Sequence, residues 1–174
     1  MKALYFVAAL MALGGCVPRE IPNPPKAGGF AIVSDSFAAN SAIPAEFTCD
    51  GANTQPALRW SHVPAGTKSL ALLLRDPDAP SGDFLHWAVT DIPAGAAGLE
   101  PGVRPPAPAR ELQNDAGING YTGPCPPSGT HRYIFTLYAL KTGSFEAGRG
   151  ALQAALEAGA LGKASLTGLY RRKE

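Results

Sequence analysis

The stretch HRYIFTLYAL (131–140) decides the fold. Tyr133, Phe135 and Leu137 alternate with Ile134, Thr136 and Tyr138, so both faces of the run carry large side chains. Aromatic and β-branched residues fit a pleated surface. A strand apolar on both faces belongs in the interior of a sheet that is covered on both sides. Working outward, SLALLLRD (69–76), FLHWAVTDI (84–92), ALRWSHV (57–63) and FAIVSDSF (30–37) read as further strands, each bounded by Gly, Pro or Asp. The tail LTGLYRR (166–172) reads as a short last strand. One helical pattern stands out, GALQAALEAGAL (150–161), with Leu152, Ala155, Leu156 and Leu161 forming an apolar stripe. Residues 94–109 are rich in Gly, Pro and Ala and read as a long loop. The pattern predicts a β-sandwich with a C-terminal helical addition.

Composition agrees. The chain has 174 residues, with 20 Gly and 17 Pro. That is one domain's length, and so many turn-formers argue against a helical bundle. The net charge is +1 with no basic cluster, which excludes the electrostatic footprint of a nucleic-acid binder. The Arg171, Arg172, Lys173 run at the chain end is read as solvated charge.

The first fifteen residues, MKALYFVAALMALGG, place one cation before an apolar run from Ala3 to Leu13. The run is too short to span a bilayer, which needs about 20 apolar residues, and has the length of a signal-peptide core. Leu-Gly-Gly-Cys then resembles a bacterial lipobox, with Cys16 as the residue that receives the lipid. Two or three acyl chains on one residue give stable anchoring. Residues 16–29 carry four prolines and no apolar period and read as a tether. The folded domain is expected over 30–174, outside the cytoplasm and held at the cell envelope. Val17 after the lipidated position points to an outer membrane where the cell has one. Export leaves Cys49 and Cys125 as an even pair in an oxidising compartment, either a disulfide or two buried thiols.

Three segments carry candidate chemistry. DPDAP (76–80) follows an apolar strand directly, and its two prolines fix the backbone around Asp76 and Asp78. His86 lies within a strand, between Leu85 and Trp87. GYTGPCPPSGTHRY (120–133) is a Gly/Pro-rich loop feeding a strand that starts His131-Arg132-Tyr133. Glycines let backbone N–H groups approach a ligand, and consecutive N–H groups can form an anion nest. A protonated His131 donates from both ring nitrogens. Arg132 is expected to make a structural ion pair with Asp76 or Asp78.

Taken together, DPDAP, the strand histidine of FLHWAV and GPCPPSGTHRY resemble the phosphatidylethanolamine-binding protein family, in particular its bacterial Raf-kinase-inhibitor-like branch. The resemblance runs over residues 30–170, and Cys49 in FTCDG and Cys125 in GPCPP also fit that branch. It implies a mostly β, two-sheet antiparallel Greek-key sandwich whose three motifs meet at one end around a small anion site. It also implies polar site residues Asp76, His86 and His131. The wall would be Gly123, Pro126 and Tyr133, the rim Ala79 and Pro80, and the supports Asp78 and Arg132. The chain departs from the family where a second polar residue often stands beside the strand histidine and Leu85 stands instead.

The ligand class implied is a small phosphate-like anion or phosphorylated headgroup, with no cofactor and no metal. Enzymatic activity is not expected. No G-x-S-x-G or H-E-x-x-H motif occurs, and Ser128 in a Pro-Gly loop is an ordinary turn residue. The competing expectation is regulation of an envelope protein partner, such as a protease or kinase.

Overall fold

The computed structural model describes residues 28–172. The expected signal peptide, Cys16 and most of the tether lie outside the described residues.

Among the described residues eight strands form two antiparallel sheets. The smaller has the order β1-β2-β5, built from Ala31–Val33, Leu58–Ser61 and Gly98–Leu99. The larger has the order β6-β4-β3-β7-β8, built from Arg110–Glu111, Phe84–Pro93, Ser69–Asp76, His131–Leu140 and Ala160–Tyr170. In the larger sheet β3, β4 and β6 neighbour one another in sequence order. β7 then returns after a long connection to lie beside β3, which is a Greek-key arrangement.

The leucines of β3 explain the layers. Leu70, Leu72 and Leu74 point between the sheets and pack with Trp87, Val89, Phe135 and Leu137. Ala71 and Leu73 point the other way, under Leu152 and Leu156 of the helix α1 (Leu152–Gly159). Every residue of β3 except Arg75 is buried, so β3 is the doubly covered centre of the sheet. β7 is interior to the sheet as expected, but Arg132 is exposed and Ile134 and Thr136 only half-covered, because α1 shields just its far end.

Some predicted bounds shift. The run over 30–37 contracts to Ala31–Val33, and the Ser34 hydroxyl turns to donate to the Ala57 carbonyl at 2.6 Å. The long loop over 94–109 contains β5, which buries Leu99. The helix stops at Gly159, and β8 follows with no loop and spans eleven residues, not only the tail. Leu161 therefore lies on a strand, 45% exposed, rather than on the apolar stripe. The outer edge of β8 is covered by residues 40–43, through Ile43 N–H to Leu169 O and Leu169 N–H to Ser41 O, both 2.8 Å.

Candidate functional site

β3 ends at Asp76, β7 begins at His131 and β4 begins at Phe84. Antiparallel pairing brings these three ends to one end of the larger sheet. Asp76 continues the alternation of Leu70, Leu72 and Leu74 and so faces the space between the sheets. His131 and Tyr133 share that face with Phe135.

His86 reaches it by a bulge. Leu74 pairs with Trp87 and Arg75 pairs with Leu85, so His86 has no partner of its own in β3. An inserted residue re-aims the side chains of its strand. Trp87 belongs to the inter-sheet core, Leu85 to the core under α1, and His86 turns its ring to the inner face beside Tyr133. The departure at Leu85 follows from this: a side chain at that position packs against α1's layer.

The cluster is compact and mostly buried. His131 Nδ1 lies 2.8 Å from Asp76 Oδ2. A carboxylate only accepts, so Nδ1 carries the proton. Asp76 Oδ1 accepts the Asp78 backbone N–H at 2.9 Å, which ties the DPDAP turn to the same carboxylate. His86 Nδ1 donates to the Thr122 carbonyl at 2.8 Å. Tyr133 stands between the two histidines, edge-on to His86 (centroids 5.3 Å apart) and stacked on His131 (6.5 Å). Phe84 covers the other side of His86 at 4.8 Å. Tyr133 is fully buried, and its hydroxyl has no hydrogen-bond partner among the described residues. A buried phenol without a well-formed partner is costly, and the nearest polar groups are the Asp76 carboxylate and the Cys125 backbone.

Burial pushes the His86 pKa below its ordinary value, although the Thr122 carbonyl and the charges of Asp76 and Asp115 act in the opposite direction. Burial, reinforced by Asp76, raises that of Tyr133 well above the usual phenol range. The forked pairing with Arg132 and its backbone N–H hold Asp78 at about 2. Arg132 thus pairs with Asp78, one of its two expected partners, and braces the loop.

Of the expected wall residues Pro126 and Gly123 are buried, and of the expected rim residues Ala79 is half-buried and Pro80 exposed. Gly123 is required by close approach. A Cβ there would sit 2.6 Å from the Phe47 carbonyl oxygen and 2.7 Å from Asn53 Oδ1. Its N–H donates to that Asn53 oxygen at 2.7 Å, and the Thr122 N–H donates to the His86 carbonyl at 3.1 Å. Pro124, Pro126 and Pro127 have no N–H. After Gly123, consecutive backbone donors in this loop are therefore confined to its Ser128-Gly129-Thr130 end.

Cys49 and Cys125 are joined in a disulfide, with Cα atoms 5.4 Å apart. It closes the wall loop onto the turn that carries Asn53. The Cys49 N–H to the Pro124 carbonyl (3.1 Å) and the Tyr121 hydroxyl to the Phe47 carbonyl (2.6 Å) reinforce it.

Two positioning residues were missed in the sequence. Asn114, fully buried, donates through Nδ2 to the His86 carbonyl (3.0 Å), the Gly120 carbonyl (3.0 Å) and Thr122 Oγ1 (2.8 Å). Asn53 adopts a left-handed backbone (φ 56°) that aims its side chain at Gly123. The only sequence signal for either was an Asn beside turn-forming Asp, Ala or Gly. A groove of about 670 Å³, lined by Ile43, Asp50, Thr130, Leu169, Tyr170 and Arg171 among others, includes the chain neighbour and the strand partner of His131 but no residue of the cluster itself. Among the described residues no group of His, Cys, Asp and Glu is arranged to hold a metal.

A sequence profile of the phosphatidylethanolamine-binding protein family matches residues 33–171. A UPF0098 protein of Methanothermobacter thermautotrophicus is 47% identical over 144 residues, covering 79% of this chain and 95% of the relative. LppC of Mycobacterium tuberculosis, whose name designates it a lipoprotein, is 39% identical over 188 residues, covering 94% of this chain and 92% of the relative. The crystal structure of Escherichia coli YbcL, described as a member of the mammalian family, superposes with a TM-score of 0.77. It is 33% identical and covers 83% of this chain and 99% of that one.

Proposed function

The chain belongs to the phosphatidylethanolamine-binding protein family, and from that premise we propose that it is an exported, membrane-tethered binder of small phosphate-like anions or phosphorylated headgroups. The observation that carries this reading is the Asp76–His131–Tyr133–His86 cluster, with a buried Tyr133 hydroxyl that lacks a well-formed hydrogen bond. A protonated His131 keeps its Nδ1 bond to Asp76 and presents a second, charge-assisted donor at Nε2. The groove beside His131, lined largely by apolar groups, gives room for the organic part of a phosphorylated headgroup.

Binding rather than catalysis is the reading we favour. An Asp-His pair becomes a nucleophile-activating device when a hydroxyl or thiol bonds to the free ring nitrogen. Ser128 is instead exposed in the loop, and both Cys49 and Cys125 are bonded to each other.

Tethering through Cys16 is supported by the lipobox-like sequence and by the lipoprotein designation of a relative that aligns over 94% of the chain. Cys16→Ser is expected to abolish lipid labelling and detergent-phase partitioning; unchanged labelling overturns the tether. Calorimetric titration of inorganic phosphate into the full-length protein in detergent tests the site. His131→Ala is expected to weaken binding by about 1.5–3 kcal/mol, the range for hydrogen bonds to charged groups. Equal affinity in both proteins would make His131 a packing residue. Recovery of a stoichiometric envelope protein, with no phosphate binding, would favour the regulatory alternative.

A further inference from the structure

Resting on the reading of this cluster as an oxyanion site, we infer that it selects an oxyanion that still carries a proton, such as hydrogen phosphate, over a fully deprotonated one such as sulfate or a phosphodiester. Selectivity here is decided by which groups donate and which accept.

His86 presents a lone pair. Its Nδ1 must hold the proton, because the Thr122 carbonyl at 2.8 Å can only accept. That carbonyl cannot easily move. The Thr122 N–H donates to the His86 carbonyl, and the Thr122 hydroxyl oxygen accepts from fully buried Asn114. A neutral ring protonated at Nδ1 leaves Nε2 as an acceptor. Nε2 makes no hydrogen bond of normal geometry among the described residues, although the Gly123 backbone also lies near the ring and favours its protonated form. Burial between Phe84 and Tyr133 disfavours a second proton. The groups that face His86 are Asp76 from β3, Phe84 from its own strand, Asp115 and the Thr122 and Gly123 backbone from the loop after β6, and Tyr133 from β7, on which His131 is stacked. The two carboxylates favour the imidazolium, and burial outweighs them.

Tyr133 presents the complementary donor. Its hydroxyl is buried, makes no hydrogen bond of normal geometry although the Asp76 carboxylate and the Cys125 backbone lie near it, and is kept protonated by burial and by Asp76. Asp76 itself is a carboxylate in the site, with both oxygens already receiving one hydrogen bond. Arg132, the nearest guanidinium in sequence, is forked onto Asp78. An anion entering here meets a donor, a lone pair and a negative charge. Sulfate can only accept, so the His86 lone pair and the Asp76 carboxylate repel it. Hydrogen phosphate accepts from Tyr133, and from His131 Nε2 when that ring carries its second proton, and gives its own P–OH to an acceptor. The same logic ranks a protonated phosphate monoester above a phosphodiester, so a soluble phosphomonoester fits better than the phosphate of an intact lipid.

Four probes separate the cases by titration calorimetry on the full-length protein in detergent, at constant ionic strength between pH 5.5 and 8. Inorganic phosphate keeps at least one proton throughout. The monoester phosphoethanolamine loses its last phosphate proton near pH 6. Sulfate and the diester glycerophosphoethanolamine carry none. Inorganic phosphate is expected to bind at least 10-fold tighter than sulfate at every pH. The monoester is expected to match inorganic phosphate at pH 5.5 and fall at least 5-fold behind it by pH 8, with the diester at the sulfate level. His86→Phe removes the lone pair and is expected to bring phosphate and sulfate within about 3-fold of each other. Tyr133→Phe is expected to weaken both together, which separates loss of a donor from loss of selectivity. Wild-type protein that binds phosphate but takes sulfate or the diester equally well overturns this inference and leaves the proposed function standing. Wild-type protein that binds none of the four overturns the oxyanion reading itself.

Discussion

Removing the disulfide should cost more stability than any single hydrogen bond in the wall loop, while leaving the site largely formed. Cys49 and Cys125 are 76 residues apart. For a loop of that size the chain-entropy model gives about 4.5 kcal/mol of destabilised unfolded state. The folded state loses little when the bond is absent, because three other contacts join the same two segments. These are the Cys49 N–H to Pro124 O, the Gly123 N–H to Asn53 Oδ1, and the Tyr121 hydroxyl to Phe47 O. Cys49→Ala/Cys125→Ala is therefore expected to lose about 3–4.5 kcal/mol. For a domain of this size that lowers Tm by roughly 8–15 °C. Phosphate affinity, measured below the transition, is expected to stay within about 3-fold of wild type. Urea unfolding of the double variant, and of wild type with and without reductant, gives the numbers. A loss under about 1 kcal/mol, with alkylation confirming two free thiols in reduced wild type, would refute the claim that the cross-link acts through the unfolded chain. A large loss of phosphate affinity would refute the claim that the three contacts suffice to hold the wall.

Three further outcomes follow from particular contacts. Gly123→Ala drives a Cβ to within 2.6 Å of the Phe47 carbonyl oxygen and 2.7 Å of Asn53 Oδ1. Displacing that backbone is expected to cost about 1–3 kcal/mol and to weaken phosphate binding, read by urea unfolding and calorimetry on one preparation. Leu156→Ala opens the buried layer between α1 and the outer face of the larger sheet, so a loss of about 2–5 kcal/mol is expected with phosphate affinity unchanged. Acid should destabilise in two steps. His86 has a folded pKa below its unfolded value, so below about pH 6.5 the unfolded chain takes up a proton that the folded chain resists, and stability falls until the folded ring titrates. Asp78 is held at about 2 against an ordinary 3.8. Its contribution, about 1 kcal/mol once solvent screening of the half-exposed Arg132 pair is allowed for, is present above pH 4 and lost as pH falls through about 2. Urea unfolding from pH 7 to pH 2 measures both, with His86→Phe expected to remove the first step and Asp78→Asn the second.

The parts of this fold that were legible in the sequence are those where one residue's environment follows from its near neighbours. HRYIFTLYAL gives β7 to the residue because aromatic and aliphatic side chains alternate without interruption and Gly-Thr closes one end. The even cysteine count left a Cys49–Cys125 bridge open beside two buried thiols, and the structure joins the pair. β8 was legible only at its end. Gly162, Lys163 and Ser165 carry no strand pattern of their own, and they are held extended by pairing with β7 along its whole length. The Asp76–His131 contact joins residues 55 apart, and only the family resemblance pointed to it.

His86 marks where local pattern misleads. Counting alternation back from Val89 and Trp87, which both face the inter-sheet core, puts His86 on the outer face, under α1, and Leu85 on the inner. Undisturbed, the strand would bury a leucine beside Asp76 and a histidine in an apolar layer. The bulge between Leu74 and Arg75 reverses both positions at once: Leu85 enters the α1 layer and His86 enters the polar cluster. An interrupted ladder leaves backbone groups to be satisfied elsewhere. Here the His86 carbonyl accepts from the Thr122 N–H and from Asn114, and the Leu85 N–H is taken by the Asp115 carboxylate at 2.7 Å. The loop after β6 thus supplies the partners that the bulge removes from β3. The same loop delivers the Thr122 carbonyl that sets the His86 tautomer. Stability of the bulge and chemistry of the site therefore share one set of contacts. Asn114 ties the two together, because its one amide group holds both the His86 carbonyl and the Thr122 hydroxyl.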